Sequence, residues 1–303
     1  MTAYVTSTVP VDGGDLTVGI WNPDAQGTAV VALHGITASH LAWQTVAERM
    51  PGVRVIAPDL RGRGRSNKLP APYGMDRHAD DVAAIVDRFG LTRPLVAGHS
   101  MGAFVAMQAV RRHPGRIGGV VLIDGGLPLE TSAQSPAEAI AVLGPAAERL
   151  SMTFPSRQAY LEFWRRHPAF AEDWTPATDA YVDYDLDGTE PELRPATKAE
   201  AMLEDSLWLA GDDAWVSDVN AWGAPIPFLV APRGLMNEPV GLYPREAVTT
   251  WSSLLPGLSV IPVEHVNHYT ILMSEKGAGA VRTVILAEQS RISAAYAATE
   301  VQQ

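Results

Sequence analysis

Residues 98–102 read Gly98-His99-Ser100-Met101-Gly102, set between the apolar run Pro94-Leu95-Val96-Ala97 and a helical segment from Ala103 to Arg112. No other part of the chain restricts the fold as much. A strand that turns directly into a helix crowds the backbone on both sides of the turn residue. A side chain at either flanking position would clash, so glycine fits there. Ser100, at the apex, is left in a strained conformation with its hydroxyl aimed away from the sheet. The next amide, Met101 N–H, opens a helix, where partial positive charge favours an anion.

Around this turn, apolar strand-like runs alternate with helical patterns. Strands are expected at 4–10, 16–21, 29–33, 53–57, 94–98, 117–123, 226–231 and 258–263, and helices at 39–50, 75–89, 101–113, 244–254 and 278–295. Such alternation implies βαβ units and a mostly parallel sheet. Asp12-Gly13-Gly14-Asp15 has hairpin chemistry, so the sheet should begin antiparallel. The stretch 128–218 breaks the alternation. It is rich in Ala, Glu, Pro and aromatics at helical spacing, and reads as a helical cap on a core made of 1–127 and 219–303. Tyr296–Gln303 reads as a frayed tail.

Asp and Glu number 34 against 23 Lys and Arg, a net charge of −11. This argues against nucleic acid or an anionic membrane surface as partner. The absence of cysteine excludes disulfides, thiolate catalysis and Cys-based metal sites. No apolar run is long enough to span a bilayer, and no basic segment leads into an apolar one at the start, so a cytoplasmic protein is expected. No P-loop, dinucleotide fingerprint or zinc motif is present, so neither cofactor nor metal is expected. A homodimer is compatible with the sequence. Arg61, Arg63 and Arg65 read as solvated side chains on a surface turn. Asp173, Asp179, Asp183, Asp185, Asp187 and Glu190 likewise read as a solvated acidic face.

Four further segments carry chemistry. One strand ends in His34-Gly35. Another ends in the glycine-rich turn Asp59-Leu-Arg-Gly-Arg-Gly-Arg-Ser66. A third ends at Asp124-Gly125-Gly126, and the last is followed by His265-Val-Asn-His268-Tyr-Thr. In set and order, these motifs and the Ser100 turn resemble the α/β-hydrolase superfamily over about residues 10–290. The resemblance implies an α/β fold: a mostly parallel eight-stranded sheet flanked by helices, with a helical cap inserted after the sixth strand. It also implies Ser100 as nucleophile and His268 as its base, with oxyanion donors at the Met101 and Ile36 amides. His265, nearer the strand end, reads as a structural or rim residue. His34 and His99 read as structural, His34 bonding backbone at the oxyanion loop.

The acid is less direct. Most of the superfamily places it after the strand at 226–231, where this chain reads Ala231-Pro-Arg-Gly-Leu-Met-Asn237-Glu238-Pro239. Asn237 cannot carry the charge that stabilises an imidazolium, and Glu238 is fixed before a proline. Some members, including the zearalenone lactonases, place the acid one strand earlier. That position here is Asp124, which is preferred over Glu238. The plain structural alternative is an aspartate capping a loop.

The expected activity is cleavage of a carboxylic ester or lactone of a small hydrophobic substrate. Tyr160, Trp164, Trp174 and Trp208 of the cap are expected to line its pocket, against the plainer reading that they pack the cap. Serine rather than aspartate at the apex argues against epoxide hydrolase and haloalkane dehalogenase chemistry. The alternatives are a C–C bond hydrolase of diketone-type substrates and a non-catalytic ligand-binding protein on the same fold.

Overall fold

A computed structural model of the chain describes residues 2–129, Ser135, Glu138 and 144–300. The sheet begins with the hairpin of β1 (Tyr4–Val11) and β2 (Gly14–Trp21), paired antiparallel with Val11 opposite Gly14. Gly13 turns it at φ +90°, a value that glycine adopts freely. In chain order there follow β3 (Val30–Leu33), β4 (Val55–Pro58), β5 (Leu95–His99) and β6 (Gly119–Ile123). A two-residue pair, β7 (Leu186–Asp187) and β8 (Arg194–Pro195), then stands apart from the main sheet. β9 (Ile226–Val230) and β10 (Leu258–Pro262) complete the sheet, in the order β1-β2-β4-β3-β5-β6-β9-β10. β2 meets β4 antiparallel, and every pairing beyond it is parallel.

Every residue of β3, β4, β5 and β6 is buried, as expected of parallel strands covered on both faces. Alternate side chains enter two cores. After α1 (Gln44–Ala47) come α2 (Met75–Arg88) and α3 (Met101–Arg112), which Val31, Leu33 and Val96 join on one face. Val30, Ala32 and Leu95 join Trp43, Val46 and the C-terminal helix Glu275–Glu300 on the other. That helix runs on through Glu300, past the expected fraying point at Tyr296, while 301–303 lie outside the described residues.

Between β6 and β9 lie the helices Pro145–Ser151, Arg157–Arg165, Pro176–Tyr184 and Ala199–Ser206. Ser156 starts the second by accepting Ala159 N–H at 3.1 Å, and Thr175 starts the third through a capping box with Thr178. Within the expected cap, 130–134, 136–137 and 139–143 lie outside the described residues. The helix Trp215–Trp222 crosses the expected boundary at 218. It packs on the main domain, with Trp215 and Val219 in the α3 core and Arg111 of α3 paired with Asp212 and Asp218.

Two charge readings are corrected. Arg61 and Arg63 are buried, not solvated, and only Arg65 is exposed. Arg61 forks onto Asp81 at 2.9 and 3.1 Å, and Arg63 pairs with Asp205. Asp185 of the acidic run is buried against Arg149. Charges can enter the interior when each finds a partner there. Among the described residues, no helix is long and apolar enough to cross a membrane.

Candidate active site

Ser100 joins β5 to α3 at φ 52°, ψ −125°, a strained conformation for a non-glycine residue. The flanking glycines are required sterically. A Cβ on Gly98 would lie 2.3 Å from the Gly102 carbonyl oxygen, and one on Gly102 2.3 Å from the Leu33 oxygen. Ser100 N–H donates to Ile123 O at 3.0 Å, so the turn is held by the neighbouring strand.

That strand also carries the candidate acid. β5 and β6 pair His99 with Ile123, so the next residue on each, Ser100 and Asp124, leaves the sheet side by side. Asp124 is fully buried with φ 44°. Its Oδ2 accepts His268 Nδ1–H at 2.7 Å and its Oδ1 accepts Ala231 N–H at 3.2 Å. A Cβ on Gly125 would meet the Ser100 oxygen at 2.2 Å, which explains the glycine after the acid. Glu238 is exposed and turned onto its own loop, its Oε2 accepting Met236 N–H at 2.8 Å.

His268 follows β10. Asn267, which the sequence reading missed, organises its loop. Asn267 Oδ1 accepts the amides of Tyr269 and Thr270, both at 3.0 Å, and its Nδ2 donates to Ala169 O at 2.9 Å. Thr270 Oγ1 in return accepts Asn267 N–H at 2.8 Å. Asn followed three residues later by Thr is a capping pattern that could have revealed it. His99 Nε2–H donates to the His268 carbonyl at 2.7 Å. Burial, then the nearby His268, lowers His99 to about 3, so its ring stays neutral beside His268. His265 is exposed, at φ 63°.

On the other side of Ser100 runs the loop after β3. His34 Nδ1–H donates to Gly35 O at 2.8 Å and its Nε2 accepts Leu60 N–H at 2.9 Å. Burial pushes this imidazole down to about 3, which agrees with one donating and one accepting nitrogen. Gly35 lies so close that a Cβ there would sit 3.2 Å from Ser100 Cβ. Ile36, Met101, Ser100 and His268 line one cavity. Its wall is apolar, with Phe104, Leu129, Leu209, Leu242 and Leu272 among the side chains, and it holds no Lys, Arg, Asp or Glu among the described residues.

The expected aromatic lining is corrected: Tyr160, Trp164, Trp174 and Trp208 do not line this cavity. Tyr160 is buried with its hydroxyl on Asp185. Trp164 packs edge-on against Phe170 and Tyr181 beneath the Arg149 guanidinium, and faces a neighbouring cavity. Trp174 Nε1–H donates to Asp179 at 2.9 Å. Trp208 is 41% exposed, its indole over Gly74. Tyr160 and Trp164 are buried in a cluster with Phe170 and Tyr181, and the segment between β6 and β9 supplies Tyr181, Leu209 and Ala146 to the cavity instead. Among the described residues, no group of three His, Asp or Glu could hold a metal ion.

An eight-stranded sheet with a serine at a glycine-flanked strand-to-helix turn defines the class. The family model described as alpha/beta hydrolase fold matches residues 28–171, and the chain has the α/β-hydrolase fold. Lipase LipV of Mycobacterium tuberculosis is 34% identical over 118 residues, 39% of this chain but only 44% of the lipase, so the match spans less than half of that relative. The 2-(acetamidomethylene)succinate hydrolase of Mesorhizobium japonicum is 27% identical over 260 residues, 86% of this chain and 87% of that protein. A crystal structure of E-2-(acetamidomethylene)succinate hydrolase superposes with a TM-score of 0.76 at 22% identity. It covers 93% of this chain and 98% of that one, a likeness of fold alone.

Proposed function

We propose that this protein is a serine hydrolase that cleaves a carboxylic ester or lactone with an apolar group at the scissile carbonyl. The carrying observation is the 2.7 Å hydrogen bond from His268 Nδ1 to buried Asp124, on a histidine that shares its cavity with Ser100. A carboxylate at Nδ1 holds the proton there and leaves the Nε2 lone pair as the base. In this mechanism Ser100 Oγ attacks the carbonyl carbon as Nε2 takes its proton. The oxyanion is met by the Met101 and Ile36 amides. Imidazolium Nε2–H then protonates the leaving alkoxide, and the C–O bond breaks to give an acyl-enzyme. Water, deprotonated by the same nitrogen, attacks the acyl carbon and releases the acid. With a lactone, alkoxide and acyl group belong to one molecule, and the product is a hydroxy acid.

The uncharged wall of the cavity favours a neutral, apolar substrate. Among the described residues it offers no Lys or Arg to the two carboxylates of a succinate, so the substrate in the relative's name is not carried over. The test is hydrolysis of a series of 4-nitrophenyl esters and aliphatic lactones by wild type and Ser100→Ala. Turnover by wild type that disappears in Ser100→Ala is expected. Turnover that survives the substitution, or none on any ester or lactone, would overturn the reading.

A further inference from the structure

Three consecutive carbonyls of the loop after β3 are each taken by a donor. Gly35 O accepts His34 Nδ1–H at 2.8 Å and Ala38 N–H at 3.2 Å. Ile36 O accepts Arg63 Nε–H at 2.9 Å, and Thr37 O accepts Arg149 Nη2–H at 3.2 Å. Because the peptide group is planar, a carbonyl fixed in direction fixes the amide across the same plane. The Ile36 N–H lies in the Gly35–Ile36 plane. Its orientation is therefore set by the bonds on Gly35 O and locked by those on the two following planes.

Both guanidiniums are buried, and each is neutralised from the segment between β6 and β9. Arg63 also donates to Arg61 O at 2.9 Å and pairs with Asp205 of the helix Ala199–Ser206. Its Nη2 lies 3.7 Å from Met101 Sδ, the side chain of the second oxyanion donor. Asp205 accepts His78 Nε2–H at 3.0 Å and Gly74 N–H at 2.6 Å as well. Arg149 sits on the helix Pro145–Ser151 and pairs with Asp185, which also takes the Tyr160 hydroxyl. A buried guanidinium that lost its carboxylate would be strongly destabilised. Each arginine is thus held in the one pose that also reaches the loop carbonyl.

We propose that Arg63 and Arg149 are positioning residues that hold the oxyanion loop in its donating geometry, and that the cap helices secure this geometry through Asp205 and Asp185. The proposal rests on the serine reading with Ile36 N–H as an oxyanion donor. It adds that the cap is needed for the chemical step as well as for covering the cavity.

Arg63→Lys and Arg149→Lys keep the buried positive charge but lose the fork that serves carboxylate and carbonyl together. The probes are a 4-nitrophenyl ester and a trifluoromethyl ketone, whose adduct with a serine carries an oxyanion. Each variant should lose about 10²-fold in kcat with KM within about threefold of wild type. Affinity for the ketone should fall by a similar factor. Should a lysine variant fail to fold, Arg63→Met combined with Asp205→Leu removes the pair without stranding a charge, and the same loss is expected. Values of kcat and ketone affinity within about threefold of wild type, or a change confined to KM, would overturn the proposal. Failure of the serine reading is separately visible, since Ser100→Ala would then keep its activity with both arginines intact.

Discussion

Asp124→Asn isolates the charge on the acid with little change of shape. Asp124 is fully buried and makes two hydrogen bonds, from His268 Nδ1 and from Ala231 N–H. Asparagine can keep the second through its amide oxygen. Toward His268 it presents an NH₂ group, which forces the proton from Nδ1 to Nε2. An Nε2 that already carries a proton cannot accept one from Ser100, and the imidazolium loses its balancing charge. The expected loss is about 10⁴ in kcat, or about 5 kcal/mol of transition-state stabilisation at about 1.4 kcal/mol per decade. The fold should lose far less, about 1–3 kcal/mol for one altered buried hydrogen bond. Saturation kinetics on a 4-nitrophenyl ester, with thermal unfolding followed by circular dichroism, separates the two effects. A variant that melts near wild type and turns over within tenfold of it would refute the assignment of Asp124.

Glu238→Gln should leave kcat within about twofold, because that carboxylate only caps its own loop; a loss approaching that of Asp124→Asn would reverse the choice of acid. Phe104→Ala and Leu242→Ala should shift the preferred acyl chain toward longer esters, since both side chains line the cavity, whereas Trp174→Ala should leave the chain-length profile unchanged. Burial alone would raise the Asp59 carboxyl, but His40 and the hydrogen bonds from His40 and Tyr184 reverse this and hold it at about 2. A depressed carboxyl stabilises the fold above its unfolded pKa of about 4 and loses that contribution as pH falls toward 2. Asp59→Asn should therefore flatten the drop in melting temperature between about pH 4 and pH 2; an unchanged slope would contradict it.

The catalytic candidates were legible because each sits in a short sequence motif. Gly98, Gly102 and Gly125 each answer to backbone within a few ångströms, and the motif around each shows the need. The missing aspartate at Asn237 and the strand-end carboxylate in the neighbouring strand point to Asp124 as the candidate acid, and its carboxylate lies 2.7 Å from His268 Nδ1. The burial of Arg63 was not readable, because its partner Asp205 lies 142 residues further along and nothing near Arg63 announces it. Arg61 beside Asp81 and Arg149 beside Asp185 were hidden in the same way. The aromatics between β6 and β9 were misplaced for another reason. Helical spacing gathers rings on one face without saying whether that face meets substrate or the next helix. Here Tyr160, Trp164 and Phe170 meet one another around Arg149.

The central claim is that Ser100 is a nucleophile activated by His268 and Asp124. It is tested most directly by treating the intact protein with an aryl fluorophosphonate and locating the adduct by peptide mass spectrometry. The account predicts a single adduct on Ser100, absent in Ser100→Ala and formed orders of magnitude more slowly in His268→Ala. An adduct on another residue, or wild-type protein that stays unlabelled, would contradict it.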